Sequence, residues 1–324
     1  MRKAQNTVIV SGYVYTFGEA NGRNMLEVKV SGEKSKNPGT EYIAGTIQVA
    51  VDEAGLNVIP VHFTYVTAVT SNGKSNSTYT ALKSLIENGK TWVKDGKENA
   101  TKVKIDTALA LNDFYIDDAT RGEVLVSTPV HEGGFVTIVN GELAPEIERN
   151  TFRCDMVITQ VEHIDADEDK NIPEDYATVR GAIFNFRDEV LPITFTVRNA
   201  AGMSYFETLG ASGAEPVYTK VWGRINCETK TITTTEESAF GEDAVRTFER
   251  KTREWVITGT AKETFEFGDE KILTAEELTK ALQDRQVKLA DIKKRNDEYK
   301  ASKNAPAPTA TPTAPKAKTG GFTF

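Results

Sequence analysis

The chemistry available to this sequence rests on three histidines, two cysteines, scattered carboxylates and rows of cations set beside aromatic rings. His62, His131 and His163 lie far apart and away from Cys154 and Cys227, so no metal-ligand spacing arises. The acidic stretch "DADEDKNIPEDY" (165–176) places Asp165, Asp167 and Asp169 as a calcium loop would. Lys170 stands where the turn glycine belongs, however, and Tyr176 where the closing glutamate belongs, which argues for a solvated loop. Two carboxylate pairs, Asp52-Glu53 and Asp188-Glu189, occupy matching places in two similar stretches. A pair repeated in this way reads as a turn between strands, not as one acid/base site. With no phosphate-binding glycine loop and no Gly-x-Ser-x-Gly, no catalytic residue, metal or cofactor is expected, and the chain reads as a non-enzyme.

The rows of cations and rings are more informative. Tyr13, Tyr15 and Phe17 share one face of a first strand, opposite Val8, Val10 and Val14. Lys102 and Lys104 flank Val103, while Lys220, Trp222 and Arg224 flank Val221. A last strand adds Arg246, Phe248 and Arg250. Phe184 and Phe186 stand where the matching strand of the first stretch carries Gln48 and Ala50. They are either an exposed stacking pair or rings packed under a loop or against the other copy. Cations can follow phosphates and rings can stack on bases at about 1–3 kcal/mol per base, whatever the base. Tyr13, Tyr15 and Phe17 also admit a plainer reading, as barrel residues with wet hydroxyls.

These residues need strands to position them. Alternating β-branched and aromatic segments run through 7–17, 41–53, 57–70, 101–111 and 133–141, with a helical piece at 78–88. A second series follows at 151–164, 177–186, 190–199, 217–228 and 245–261, with a short helix at 201–210. The two series match in order. Asn6-Thr7 pairs with Asn150-Thr151, Gly45-x-Ile47 with Gly181-x-Ile183, Pro60-Val61-x-Phe63-Thr64 with Pro192-Ile193-x-Phe195-Thr196, and Thr101-Lys102-Val103 with Thr219-Lys220-Val221. The reading is a mainly β protein of two tandem OB-like barrels, each in β-β-β-α-β-β order. Residues 28–41, with their Asn-Pro-Gly turn, are expected to form a long loop. Domains are expected at 1–147 and 148–268.

The segment 269–303 is expected to be a charged amphipathic helix. It is capped by Thr274 with Glu277, and its apolar stripe of Leu278, Leu282, Leu289 and Ile292 suits docking on the barrels or pairing with another chain. Residues 304–324 are nearly all Ala, Pro and Thr until "GGFTF", and are expected to be a disordered tail with Phe322 and Phe324 at its tip.

The formal net charge is −8, which argues against a uniformly basic coat for duplex DNA but leaves room for a local basic groove. No run of apolar residues is long enough to span a membrane. The opening "MRKAQNTVIVSGY" alternates and does not read as a signal peptide. Two distant cysteines fit a reducing cytoplasm.

The phrases "SKNPGTEYIAGTIQVAVDEAGLNVIPVHFTYV" (35–66), "GAIFNFRDEVLPITF" (181–195), "EESAFGE" (236–242), "REWVITG" (253–259) and the closing "GGFTF" carry a resemblance. The chain resembles the single-stranded DNA-binding proteins of tailed bacteriophages, in a form with two OB-folds and a flexible tail. That resemblance implies non-catalytic protection of single strands in phage replication or recombination, in the host cytoplasm. It also implies a Phe-ending tail that recruits replication or recombination proteins. In that family the tail is acidic, whereas the last ten residues here hold Lys316 and Lys318 and no Asp or Glu. Partner recruitment is therefore expected more than competition for the groove. A virion or assembly protein built from duplicated β domains, with 273–303 driving oligomerisation, is the alternative.

Overall fold

The computed structural model describes residues 4–19, 22–33, 35–167, 172–236, 240 and 244–304. Residues 305–324 of the expected tail, Phe322 and Phe324 included, lie outside the described residues. The first series holds β1 (Asn6–Phe17), β2 (Glu27–Val30), β3 (Glu41–Ala50), β4 (Val58–Thr67), α1 (Ser77–Asn88), α2 (Trp92–Asp95), β5 (Lys102–Asp118) and β6 (Gly122–Ile138). The second holds β7 (Asn150–Ile164), β8 (Tyr176–Phe184), β9 (Val190–Val197), α3 (Ala200–Thr208), β10 (Val217–Glu236) and β11 (Ala244–Thr260), and α4 (Ala275–Asn304) follows.

Each series closes a ring of hydrogen-bonded strands. β1 pairs with β3 and β5, β3 with β4, β5 with β6, and β4 runs parallel to β6 at Val61↔His131. In the second ring β7 pairs with β8 and β10, β8 with β9, β10 with β11, and β11 runs parallel to β9 at Val256↔Thr196. Both rings thus have the β-β-β-α-β-β order of an OB barrel. Closure removes the open sheet edges that would otherwise invite pairing with other chains. Antiparallel β1 and β7, matched from Asn6↔Cys154 to Val10↔Asn150, join the rings into one eleven-stranded sheet.

Alternation explains the interior. Val8, Val10, Ile47, Val49, Ile59, Val61, Val103 and Ile105 fill the first barrel, with Leu82 and Leu85 of α1 beneath it. Phe152, Met156, Ile183, Phe195, Val221 and Trp255 fill the second, with Phe206 of α3 beneath it. The repeated Gly-x-Ile has a steric cause. A Cβ at Gly181 would sit 1.8 Å from the Val157 carbonyl oxygen, and one at Gly45 would sit 2.2 Å from that of Met25. The repeated Asn-Thr pins strands: Asn6 Nδ2 donates to the Leu109 carbonyl (2.9 Å) and Asn150 Nδ2 to that of Ile225 (2.7 Å).

The turn reading of the carboxylate pairs is met in the backbone. Asp52 accepts from the amides of Leu56 and Asn57 (both 3.1 Å), and Asp188 adopts φ 61° in the matching turn. Two expectations are corrected. Part of 28–41 is strand, because Glu27–Val30 pairs with β3. The unassigned residues between 111 and 133 extend β5 and β6 into a long hairpin, turned where Asp118 accepts from the amides of Thr120 and Arg121 (both 2.9 Å).

The capping box forms as expected: Glu277 N–H donates to Thr274 Oγ1 (3.2 Å) and Thr274 N–H to Glu277 Oε2 (2.9 Å). α4 docks on its own chain. Leu289 is buried, and Leu278 and Ala281 pack against a small cluster of Phe184, Val190 and Leu273.

Candidate nucleic-acid interface

The expected cation–aromatic set does not assemble into one groove. Trp92 of α2 meets Tyr13 edge-on (centroids 5.6 Å apart) and lies 6.0 Å from Tyr15. Lys97 sits over both Tyr13 (5.7 Å) and Trp92 (5.3 Å). Lys102 lies 5.9 Å from the Tyr13 ring and donates to the Gly141 carbonyl (3.1 Å). Phe17 packs against the main core. The row is therefore already capped by its own helix. Beside it, Glu53 bonds Lys97 and Arg149 (both 2.7 Å), and these two cations lower its pKa to about 2.

Phe184 needs the plainest correction. It is 1% exposed, beneath Leu273 and α4, and offers no face for stacking. Its neighbour Phe186 is 75% exposed, with Arg187 over its ring at 5.0 Å. Trp222 lies against Gly259 of β11, where a Cβ would come within 2.4 Å of its Nε1. Arg224 donates to Asn150 Oδ1 (3.1 Å) and the Glu146 carbonyl (3.2 Å), so it ties the inter-barrel connection. Lys104 pairs with Asp106 at 3.5 Å. Lys104, Lys220, Trp222 and Arg224 share the outer face of the β5–β1–β7–β10 sheet, the outside of the joined barrels. Arg246 is exposed farther along β11, and the side chains of Phe248 and Arg250 lie outside the described residues.

A concave site lies elsewhere, on β3 and β4 of the first barrel. It is a groove of about 440 Å³ lined by Lys29, Thr46, His62, Phe114, Glu132 and Arg253 among others. One wall is the β5–β6 hairpin, whose Asn112 and Thr128 face each other across the ladder and both line the groove. The other wall comes from the segment between β1 and β3, where Lys29 pairs with Tyr42. Tyr42 and Tyr65 lie face to face at this end, with centroids 4.5 Å apart and planes at 34°. Tyr65 is 48% exposed and Phe114 38% exposed.

Imidazole and hydroxyl groups line the floor. Thr46 Oγ1 and His62 Nδ1 are 2.8 Å apart, and Thr64 Oγ1 donates to Glu132 (3.2 Å). Burial lowers the His62 pKa, and Arg253 pushes the same way against Glu19 and Glu132, so the ring is neutral at physiological pH. The groove thus sets two cations, Lys29 and Arg253, two carboxylates, Glu19 and Glu132, an exposed ring and uncharged hydrogen-bonding groups side by side.

The hairpin wall has two faces. Asn112 and Phe114 face the groove, while Asp113, Tyr115 and Asp117 face α4. Arg285 pairs with Asp113 at 2.7 Å, with both side chains mostly buried. Lys293 pairs with Glu123 (3.1 Å), and Lys300 with Asp117 (2.9 Å) and Glu123 (3.2 Å). Lys288 pairs with Glu189 at the β8–β9 turn. α4 is therefore a basic splint laid along an acidic hairpin.

Sequence reasoning missed Lys29, Tyr42, Tyr65, His62, Phe114 and Arg253. Alternation along "PVHFTYV" (60–66) marks His62 and Thr64 as outward-facing, a signal that was available. Nothing local marks Arg253, which belongs to the second barrel. Outside the groove, His163 lies 2.8 Å from Glu207 and 3.5 Å from Asp165, with Asp175 nearby. These exposed groups form a surface ion-pair cluster, and its carboxylates, Glu207 first, raise the His163 pKa.

The fold and groove define a two-barrel β protein with a polar, aromatic cleft on the β3–β4 face of its first barrel. The YorF family profile matches residues 7–295, and the chain belongs to the YorF family. No curated protein matches it. Among solved structures, the chain is similar to the wild-type single-stranded DNA-binding protein from Thermus aquaticus. Identity there is 9%, the match covers 81% of this chain and 95% of that one, and the TM-score is 0.43. A deletion mutant of the same Thermus protein matches at 9% identity over 82% and 97% of the two chains, with a TM-score of 0.41. No helix among the described residues is long and apolar enough to cross a membrane.

Proposed function

We propose that this chain binds single-stranded DNA without sequence preference and without catalysis. The observation that carries this reading is the groove across β3 and β4. Its lining holds Lys29, Arg253 and the Phe114 ring, and the Tyr42–Tyr65 pair flanks its Lys29 end, on the face and between the loops where OB barrels take oligonucleotides. Rings that stack on any base, with cations for phosphates, suit an extended single strand. A duplex keeps its bases stacked inside and leaves these rings nothing to stack on. Thr46 is fully buried, so its contact with His62 orients the imidazole and presents no nucleophile to a ligand.

The finer reading follows the family resemblance of the sequence: protection of single strands during phage replication or recombination in the host cytoplasm, with Phe322 and Phe324 recruiting a protein partner. Anisotropy titration of labelled oligo-dT against a duplex of equal length, at two salt concentrations, tests the central claim. Oligo-dT should bind more tightly, and the binding should weaken steeply with salt. No measurable binding at low salt ends the reading. Deleting residues 320–324 should leave oligo-dT affinity unchanged while abolishing a partner contact. A large gain in affinity would instead mean that the tip occupies the groove.

A further inference from the structure

We infer that the two barrels build one strand-binding groove, not one each; this rests on the single-strand reading above. The first observation is continuity. Beyond the main groove lie two smaller cavities of about 60 and 70 Å³. The first shares His62, Val130 and Arg253 with the main groove, and the two small ones share Pro60, Cys227 and Arg253. Together they form a trench along β4, from Lys29 at one end to Gln48 and Thr229 at the other, with Arg253 common to all three.

The placement of Arg253 has a structural cause. It lies on the same side of β11 as Trp255 and Ile257, which point into the second barrel. The β10–β11 hairpin runs past its own barrel and is bonded to the first. Asn57 Nδ2 donates to the Ile225 carbonyl (3.2 Å), Cys227 N–H to Asn57 Oδ1 (2.9 Å), and Trp255 Nε1–H to His131 Nε2 (3.2 Å). Past that seam the inward side of β11 faces β4, so Arg253 becomes a cation of the first barrel's groove.

The matching face of the second barrel is occupied. Ala182 stands where Gln48 lines the trench, since it pairs with Pro192 as Gln48 pairs with Pro60, and beside it on the same face Phe184 is buried with Val190 under Leu273 and α4. Tyr218 Oη–H donates to the Leu273 carbonyl at 2.8 Å and holds that cover in place. Farther along, the cations of this face already have carboxylates: Arg180 with Glu162 (3.0 Å) and Arg198 with Glu254 (2.9 Å). α4 thus closes one face and, through Arg285 and Asp113, braces the hairpin that walls the other.

The test is stoichiometry with a short strand. An oligo-dT of about 8 nucleotides is within the roughly 4–16 nucleotide footprint of one OB barrel. Titration calorimetry should give one such strand per chain. Arg253→Ala should weaken binding roughly tenfold and lower the salt slope by about one, as loss of a phosphate contact does. Arg180→Ala, on the covered face, should bind like the parent. Circular dichroism melts check that Arg253→Ala stays folded, and Lys29→Ala, at the far end of the trench, provides a second variant expected to lose affinity similarly. Two strands per chain, or equal losses in Arg180→Ala and Arg253→Ala, would overturn the inference while leaving single-strand binding intact. One strand per chain with Arg253→Ala unaffected would confine the site to the first barrel and overturn it too. No binding by the parent would remove the functional reading itself.

Discussion

Acidification should loosen the seam between the barrels at His131. This residue is buried, and both ring nitrogens are committed. The Pro60 carbonyl can only accept, so Nδ1 carries the proton and donates to it at 3.1 Å. Nε2 is then the acceptor for the Trp255 indole N–H at 3.2 Å. A second proton would set N–H against N–H inside a water-poor seam. Burial accordingly pushes the His131 pKa down to about 4 from an ordinary 6.5.

The unfolded chain takes up that proton near pH 6.5, whereas the folded chain resists until about pH 4. Stability from His131 is therefore fully present above 6.5 and is lost as pH falls through that window. The gap of about 2.5 pKa units corresponds to about 3 kcal/mol. His62 is also depressed and acts in the same direction, so the measurement must isolate His131. Urea unfolding of the parent and of His131→Gln, followed by tryptophan fluorescence at pH 7 and near pH 4, does this. Glutamine can donate and accept but does not titrate. The variant should be less stable at pH 7 and should lose about 3 kcal/mol less than the parent on acidification. Identical pH dependence in the two proteins would refute the argument, as would an imidazole NMR titration placing His131 near pH 6.5.

The other expectations concern the elements that hold the groove. Arg285→Ala leaves the mostly buried Asp113 without its cation, and should cost about 2–3 kcal/mol in urea unfolding as well as weaken oligo-dT binding. Gly181→Ala forces a Cβ against the Val157 carbonyl oxygen and should destabilise by about 4 kcal/mol; a soluble variant with parental stability would contradict the crossing of β7 and β8 described above. Thr274→Ala removes one half of the capping box and should cost about 1 kcal/mol, seen as faster amide exchange in the first turn of α4.

Much of the fold was legible because its signals are local. Strand alternation needs only neighbours two residues apart, and the helices at Ser77–Asn88 and Ala200–Thr208 were marked by their place between strands. Glu277 three residues after Thr274 is a capping box wherever it occurs. Gly45 and Gly181 were marked by matching position, and the structure supplies the close backbone approach that requires them. The hairpin of β5 and β6 was less legible: "NDFYIDD" and "EVLVSTPV" lie outside the core, and their alternation is blurred by acids that α4 neutralises from outside.

The candidate site was not legible for the same physical reason. A sequence shows which side of a strand avoids the core, but not what covers that side. Tyr13 and Phe184 both lie on such a row; Trp92 caps the first and α4 the second, and both covers are separate elements brought in by tertiary packing. Arg253 belongs to the second barrel by sequence and to the first barrel's groove by position, because a long hairpin crosses the seam at Asn57 and His131. Sequence by itself determined two series of alternating strands, their helices and turns, and the capped charged helix that follows, since each depends on contacts between near neighbours or on repetition. Which polar faces stay open to a ligand was decided only by tertiary structure, because exposure depends on elements that meet across many tens of residues of chain or more.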